Sequence, residues 1–339
     1  MSKVHLLPQK PQYKANLHCH TTLSDGRIGA KEMLDAYKNH GYSVIAFTDH
    51  EYIVNHQELA SDDMVVLTGY EMAVYDGDPN KVSWRDLKCC HLNFYAKDPY
   101  ADTHICFEPK RLHWLSADEI AKLKYKGELC ERKYSCLQHY IDEAKKEGFI
   151  VCLNHPYWSM QPREDYTKLK GLFAMEVHNS GGSALGNYNP ILSANLWHDY
   201  EAAINEGLDV APIAADDNHN YNGDIENSDS FHGYTMICTD DFSYSGVMKA
   251  LEEQAFYAST GVDVNEVSVD DGKLYVSCTE CTMVLAFLGG IRWAWLEDEK
   301  GLCEATLDIP KDARYIRVMC FDKRNGNFAT TKAYRKEEF

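Results

Sequence analysis

Short apolar runs alternate with amphipathic helical patterns over residues 1–260 of the chain. Alternating strand and helix signals are typical of parallel β-α-β units, and a series of about seven such strands predicts a barrel. The predicted strands are 14–20, 43–49, 64–71, 91–96, 149–154, 172–178 and 209–215. The predicted helices lie near 29–40, 117–124, 132–147 and 190–206.

After residue 260 the pattern changes to short alternating runs separated by turn dipeptides such as Asp271-Gly272 and Asn325-Gly326. This pattern predicts a small antiparallel β domain, which we interpret as a β-sandwich. Its runs are 266–269, 273–278, 282–287, 291–296, 304–309, 314–321 and 328–334. The sequence therefore predicts an α/β domain over 1–260 and an all-β domain over 261–339. Within the first domain, residues 76–116 have no clean period, and we interpret them as a long insertion that faces the substrate.

Composition and charge exclude several classes of protein. Of the 339 residues 45% are hydrophobic, which predicts a substantial core. The net charge of −18 disfavours a nucleic-acid polymer as partner, because phosphate backbones bind basic surfaces. No stretch approaches the roughly 18 apolar residues of a membrane helix, and the N-terminal residues lack the apolar core of a signal peptide. We therefore expect a cytoplasmic protein with no membrane partner, whose 12 cysteines are free thiols.

Histidines and carboxylates recur where the predicted strands end. His18 and His20 close the first strand at a spacing of two residues, which places both imidazoles on one side of it. The other candidate ligands are Asp25, His50, Glu71, His91, His155, Asp217 and His219. His91 is the exception, because it starts its run. Active sites of parallel β/α barrels are built at the carboxyl ends of the strands, so these residues predict one common site.

Taken one at a time, these residues have ordinary alternatives. Asp25 lies in a Ser-Asp-Gly turn, His50 follows a potential helix N-cap, and His155 precedes a proline in a loop. Together, imidazoles and carboxylates without thiolates indicate Zn²⁺, Mn²⁺ or Fe²⁺, and a carboxylate such as Glu71 can bridge two ions. The set predicts a site for two or three divalent metal ions.

Other polar residues near the predicted ligands are candidates for contact with substrate. Basic side chains bind phosphate oxygens, and the candidates of this type are Arg27, Lys88 and Arg163. Glu176 and His178 end the sixth predicted strand, where alternation places both side chains on one face, with Asn179 next to them. We expect Glu176 and His178 to orient ligands or substrate, and Glu176 and Asn179 to be among the substrate-binding residues. The predicted catalytic residues are Asp217, Glu71 and His178.

The ordered set of motifs resembles the PHP (polymerase and histidinol phosphatase) family. The motifs are His18-x-His20, Asp25, Thr-Asp-His50, Glu71, His91, Asn-His155-Pro and Asp217-x-His219. The resemblance implies a distorted (β/α)7 barrel with a trinuclear metal centre and phosphoesterase chemistry. The implied ligand sets are His18, His20, Glu71 and Asp217; Glu71, His91 and His155; and Asp25, His50 and His219. Asp25 stands where other members carry histidine, and the tail from Ala255 resembles the CehA/McbA-type metallohydrolase branch.

These features lead us to expect a metal-dependent phosphoesterase in which a metal-bridged hydroxide attacks a small phosphomonoester, such as a nucleotide or sugar phosphate. A hydrolase of carbamates, amides or carboxylic esters could use the same metals, but it would have an apolar pocket rather than basic groups beside them. A third alternative is a non-catalytic binding module that the metals stabilise. The number of candidate ligands argues against it, because a structural zinc is satisfied by four.

Overall fold

The computed structural model describes residues 3–79, 81–181 and 197–339, and it has a mixed α/β fold. The helices are α1 Ala30–Asn39, α2 Ala117–Ile120, α3 Leu137–Lys146, α4 Arg163–Tyr166, α5 Trp197–Asn205 and α6 Tyr244–Glu252. Each predicted helix has a counterpart, although residues 190–196 of the last one lie outside the described residues. Gly41 and Gly148 follow α1 and α3 with φ of +77° and +86°, a backbone conformation that favours glycine after a helix end.

The strands of the first half are β1 Val4–His5, β2 Gln12–Asn16, β3 Val44–Phe47, β4 Val65–Tyr75, β5 Cys89–Ala96, β6 Thr103–His104, β7 Lys124–Tyr125, β8 Phe149–Asn154 and β9 Leu172–Asn179. Those of the second half are β10 Ala211–Ala215, β11 Tyr234–Cys238, β12 Phe256–Ser259, β13 Val264–Asp270, β14 Lys273–Gly289, β15 Arg292–Asp308, β16 Tyr315–Phe321, β17 Phe328–Thr331 and β18 Tyr334–Arg335. The seven strands expected before residue 260 are all present, as β2, β3, β4, β5, β8, β9 and β10.

These seven strands are hydrogen-bonded in chain order, but they are not all parallel. β5 pairs antiparallel with β4 and with β8, whereas the other neighbouring pairs are parallel. The expectation of a wholly parallel arrangement is therefore wrong at β5. The connection from β4 to β5 contains no α-helix in the described residues, so the chain reverses direction there as it does in a hairpin.

Backbone hydrogen bonds link the segment after β10 to the segment after β2. The amide of Asp217 donates to the carbonyl of His18 at 2.9 Å, and the amide of His20 donates to the carbonyl of Asn218 at 3.2 Å. The first and last of the seven strands therefore meet at the rim where the candidate ligands lie. Apolar side chains of these strands, such as Ala15 and Ile213, pack into a common buried cluster below that rim.

The strands after residue 260 pair antiparallel, as predicted. They are longer than expected, because β14 and β15 each join two predicted runs through irregularities in their pairing. Pairing continues from β17 to β12, β11 and β2, so these strands belong to the same hydrogen-bonded sheet as the seven. Met33 and Tyr37 of α1 pack in one apolar cluster with Val284 and Ile316. The domain division at residue 260 and the sandwich stay predictions.

Residues 76–116 do not form one continuous insertion. The buried strand β5 runs through the middle of this segment and separates 76–88 from 97–116. The two remaining parts contain short helical turns, including a 3₁₀ turn at Pro109–Arg111. In the described parts of the chain, no helix is long and apolar enough to cross a membrane.

Candidate metal centre

The candidate ligands lie at one rim of the seven strands. His18, His20 and Asp25 follow β2, His50 follows β3, Glu71 and His91 lie in β4 and β5, His155 follows β8, and Asp217 and His219 follow β10. The antiparallel direction of β5 explains why His91 starts its run, because the amino end of that strand lies at the rim where the parallel strands end. The backbone at Gly26 passes close to His20, because a Cβ at Gly26 would lie only 2.5 Å from the carbonyl oxygen of His20. This close approach keeps the neighbouring Asp25 at the rim.

Glu71 lies at the centre of the cluster and is fully buried. Its Oε1 lies 3.1 Å from His91 Nδ1, 3.2 Å from His155 Nε2 and 3.3 Å from His18 Nε2. Its Oε2 lies 2.7 Å from His50 Nδ1. Imidazoles on different strands thus converge on both oxygens of one carboxylate, which is the arrangement that a bridging ligand requires.

Asp217 forms a second focus beside Glu71. Its Oδ1 lies 2.9 Å from His20 Nε2 and 3.1 Å from His18 Nε2, and its Oδ2 lies 3.7 Å from His155 Nε2. The backbone at Asp217 has φ of +49°, and at His155 it has φ of +24°. Backbone of this kind is strained for residues other than glycine, and such strain is typical of functional sites.

Asp25 forms the third, more exposed focus. Its carboxylate oxygens lie 3.4 Å from His219 Nε2, 3.7 Å from His20 Nδ1 and 3.8 Å from His50 Nε2. All nine residues that the sequence singled out are therefore brought together. Ligand atoms within 4.8 Å of one another form the sets His18, His20, Glu71 and Asp217; His20, Asp25, His50 and His219; His50, Glu71 and His91; and His18, His155 and Glu176.

The carboxylates of the cluster are charged and the imidazoles compensate them. Burial alone would raise the pKa of Glu71, but His91, His50 and His18 hold it well below its usual value. Burial opposes the charged form of His50, yet Glu71 and Asp25 raise its pKa to about 10. A proton on His50 thus supplies positive charge where a cation would supply it, and metal binding would release that proton.

The residues present fit a divalent metal ion. Glu71 Oε2 and Asp217 Oδ1 are buried and face imidazole nitrogens at 2.7 and 2.9 Å without a well-aligned hydrogen bond to them. His91 Nε2 is also buried and has no hydrogen-bond partner among the described residues. Buried polar atoms without partners are rare and costly, and a cation would satisfy the two carboxylate oxygens and the imidazole nitrogen. The donor set contains imidazole and carboxylate, which suits Zn²⁺, Mn²⁺ or Fe²⁺.

Comparison with known proteins agrees with this geometry. The sequence model of the PHP domain matches residues 16–214, which is more than half of the chain. The chain belongs to the PHP domain family. The match begins just before His18 and ends just before Asp217. It covers the last residue of β2, the next five of the seven strands in full, and β10 except for its last residue. No protein of curated function matches the sequence.

Several solved structures are similar to the chain. A two-domain protein from Bacteroides vulgatus, containing a predicted PHP-like metal-dependent phosphoesterase, shares 14% identity over 96% of each chain, with a TM-score of 0.43. A proposed metal-dependent phosphoesterase from Bifidobacterium adolescentis shares 18% identity over 61% of this chain and 88% of its own, with a TM-score of 0.38. An amidohydrolase from Chromobacterium violaceum shares 14% identity over 60% and 87%, with a TM-score of 0.36.

Glu176 and Asn179, which the sequence predicts to bind substrate, form hydrogen bonds with candidate metal ligands. Glu176 Oε1 lies 2.6 Å from His18 Nδ1, and Oε2 accepts from the amide of His155 at 2.9 Å. Asn179 Nδ2 donates to Glu176 Oε2 and to Asp217 Oδ2, both at 3.0 Å. Each side chain is about 1% exposed, so neither is open to a substrate. Contacts of this kind fix the orientation of a ligating imidazole or carboxylate.

His178, a predicted catalytic residue, lies apart from the candidate ligands. β9 carries one extra residue relative to β10, since Glu176 pairs with Ile213 and His178 pairs with Ala214. This irregularity breaks the alternation that would place Glu176 and His178 on one face. His178 Nε2 lies 3.2 Å from Ser180 Oγ, and the residue is absent from the described lining of the cavity over the metal centre.

The three predicted basic contacts also lie outside that lining. Lys88 is paired with Asp165 at 3.3 Å, and Arg163 is paired with Glu206 at 3.0 Å. Arg27 is exposed, and only its backbone amide has a described hydrogen bond, to the carbonyl of His219. Nearness in sequence to a ligand motif was their only support, and it does not determine where a long side chain points.

The sequence missed several residues that surround the centre. Asn154, at the end of β8, is fully buried and donates to Glu71 Oε1 at 2.8 Å. A cavity of about 1020 Å³ opens over the candidate ligands, and residues 76–116 contribute basic and aromatic side chains to its wall. They include Arg85, Lys110, Arg111, His113 and Trp114. The Asn-His-Pro motif could have indicated Asn154, whereas no periodic pattern distinguishes the basic residues.

Proposed function

We propose that this chain is a metal-dependent phosphoesterase that hydrolyses a small phosphomonoester, such as a nucleotide or sugar phosphate. The observation that carries the proposal is the convergence of imidazoles and carboxylates on Glu71 and Asp217 at the floor of a cavity. We assign two or three divalent ions to the ligand sets that the family resemblance implies. When bound, such ions lower the pKa of water toward about 7 and neutralise the charge of a phosphoryl group.

The chain's own residues would position and shield the reaction. Glu71 and Asp217 would supply bridging or terminal carboxylates, while Glu176 would hold His18 and Asn179 would hold Asp217 in ligating orientations. The seven strands supply the rigid frame, which we interpret as the distorted (β/α)7 barrel. His178 is not retained in a catalytic role, and the geometry assigns no residue as proton donor to the leaving group.

The size of the cavity and the net charge of the chain favour a small substrate. Its volume of about 1020 Å³ is at the upper end of the range for small-molecule sites. The net charge of −18 opposes binding of a long nucleic acid, whose affinity depends on many basic contacts.

A hydrolase of carbamates, amides or carboxylic esters is the competing function. It needs no cations around the reacting group, whereas a phosphoesterase benefits from them. Arg85 and Lys110 lie in the wall of the cavity, which favours the phosphoesterase.

The test is phosphate release by Mn²⁺-loaded protein from a panel of nucleotide, sugar and amino-acid phosphates, run beside a panel of carbamates and carboxylic esters. Asp217→Asn is the inactive control. Release from a phosphate ester that vanishes in the variant supports the proposal. Turnover of the second panel alone would replace it with the competing function, and no turnover by the metal-loaded protein would favour a non-catalytic module.

A further inference from the structure

Arg111 is a buried cation in the wall of the cavity over the candidate metal centre. Its side chain is 6% exposed, and its Nε donates to Glu108 Oε2 at 2.9 Å. Its Cζ lies 5.0 Å from the ring of Tyr75. Its Nη1 is buried and has no hydrogen-bond partner among the described residues. An unpaired buried N–H of a charged group is costly, so this donor is available to an acceptor on a ligand.

A buried ion network holds Arg111 in place relative to the candidate ligands. Arg132 donates to Glu51 Oε2 at 2.7 Å and to Glu108 Oε2 at 3.1 Å, and Glu108 in turn accepts from Arg111. Glu51 follows His50 directly, and its Oε1 accepts from the amide of Ala73 in β4. The network therefore ties the 3₁₀ turn of Arg111 to the strand that carries Glu71, so Arg111 is preorganised rather than mobile.

Trp114 adds a second unpaired donor to the same cavity. Its Nε1 is buried and, in the part of the chain that the structure describes, has no hydrogen-bond partner. Tyr75 links this region to the metal centre, because its ring lies 6.3 Å from the ring of His91 and 5.0 Å from Arg111 Cζ. Arg111 thus lies one aromatic ring away from a candidate ligand, in the wall of the same cavity.

Resting on the proposed function, we propose that Arg111 and Trp114 form a subsite for a second negatively charged group of the substrate. The planar fork of the guanidinium matches the oxygens of a carboxylate or a phosphate, and the indole N–H supplies one further hydrogen bond. The substrate class is therefore a phosphate ester whose leaving group itself carries an oxyanion. The metals would hold the phosphoryl group that is cleaved, and Arg111 would hold the group that is not.

Phosphonates test this subsite without turnover, because their C–P bond is not a phosphoester. The titration by calorimetry uses Mn²⁺-loaded protein with 6-phosphonohexanoate, 1,6-hexanebisphosphonate and the neutral-ended 6-hydroxyhexylphosphonate. A shorter carboxylate, 3-phosphonopropionate, tests the spacing. We expect the wild-type protein to bind at least one oxyanion-ended ligand about tenfold or more tighter than the hydroxyl-ended one. The preferred end group distinguishes a carboxylate from a phosphate.

Variants separate binding from a structural role. Arg111→Met should remove the preference while leaving the affinity for 6-hydroxyhexylphosphonate unchanged, and Trp114→Phe should reduce the preference. Arg111→Lys should restore part of it, since lysine keeps the charge but loses the fork. The matched control is Arg292→Met, at an exposed arginine paired with Asp312, and it should keep the full preference.

The subsite would be overturned by equal wild-type affinity for charged and neutral ends, by a preference that survives Arg111→Met, or by an equal loss of affinity for all ligands in that variant. Absence of binding for every phosphonate would also overturn it. Failure of the proposed function looks different. In that case the charge preference would persist, but no phosphate ester of the panel would be hydrolysed.

Discussion

Replacing Arg132 by methionine should destabilise the protein by about 3–5 kcal/mol, the cost of breaking a buried ion pair by removing one partner. The Arg132 side chain is 1% exposed and bridges Glu51 and Glu108. Without it, Glu108 keeps Arg111 at 2.9 Å and Lys110 at 3.0 Å. Among the described residues the Glu51 carboxylate would keep only the amide of Ala73 as a partner, so the unpaired charge falls on Glu51.

Urea unfolding followed by circular dichroism measures this loss as a change in the free energy of unfolding. Adding Glu51→Gln to Arg132→Met should recover most of it, because a neutral amide tolerates burial better than an unpaired carboxylate. Arg292→Met, at an exposed pair, should change the free energy little. A loss for Arg132→Met no larger than that of Arg292→Met, or no recovery in the double variant, would refute the reasoning.

Three further changes have defined outcomes. Glu176→Gln should weaken metal binding about 10–100-fold in a chelator competition assay, because the oriented imidazole of His18 loses its partner; unchanged affinity would contradict this. Burial lowers the pKa of His104 below 6.5, so in mildly acidic solution the unfolded chain binds a proton that the folded chain does not. The free energy of unfolding therefore decreases as the pH falls below 6.5. Urea unfolding near pH 7 and about pH 5.5 should show that the free energy of unfolding decreases less between these two pH values for His104→Gln than for the wild type. Lys88→Met and Arg163→Met should leave kcat/KM for the substrate unchanged, since both side chains are paired outside the cavity; a clear fall in either would restore them as contacts.

The ligand set could be predicted from the sequence because it depends on local order. A histidine or carboxylate directly after an apolar run lies at a strand end, and strand ends of one sheet edge meet. His91 shows the limit of this rule, since its place at the start of a run is explained only by the antiparallel pairing of β5. Pairing direction depends on the connection between strands, which a pattern along one strand does not contain.

The residues around the ligands were harder to predict. A single extra residue in β9 moves His178 away from Glu176, and no hydrophobic pattern marks such an irregularity. Arg111 reaches the cavity through a non-periodic segment and is held there by Arg132, which is distant in sequence. Long basic side chains are placed by tertiary ion pairs, so Lys88 and Arg163 are paired outside the cavity lining, whereas Arg27 as a substrate contact stays a prediction.

Metal stoichiometry tests the central claim most directly. Protein stripped by chelator, reloaded with Mn²⁺ or Zn²⁺ and passed through a desalting column can be measured by inductively coupled plasma mass spectrometry. We expect two or three ions per chain for the wild type, and fewer for Glu71→Gln, because its carboxylate is shared by imidazoles from several strands. A wild-type content of one ion or none, or a content that Glu71→Gln leaves unchanged, would contradict a polynuclear centre built on Glu71.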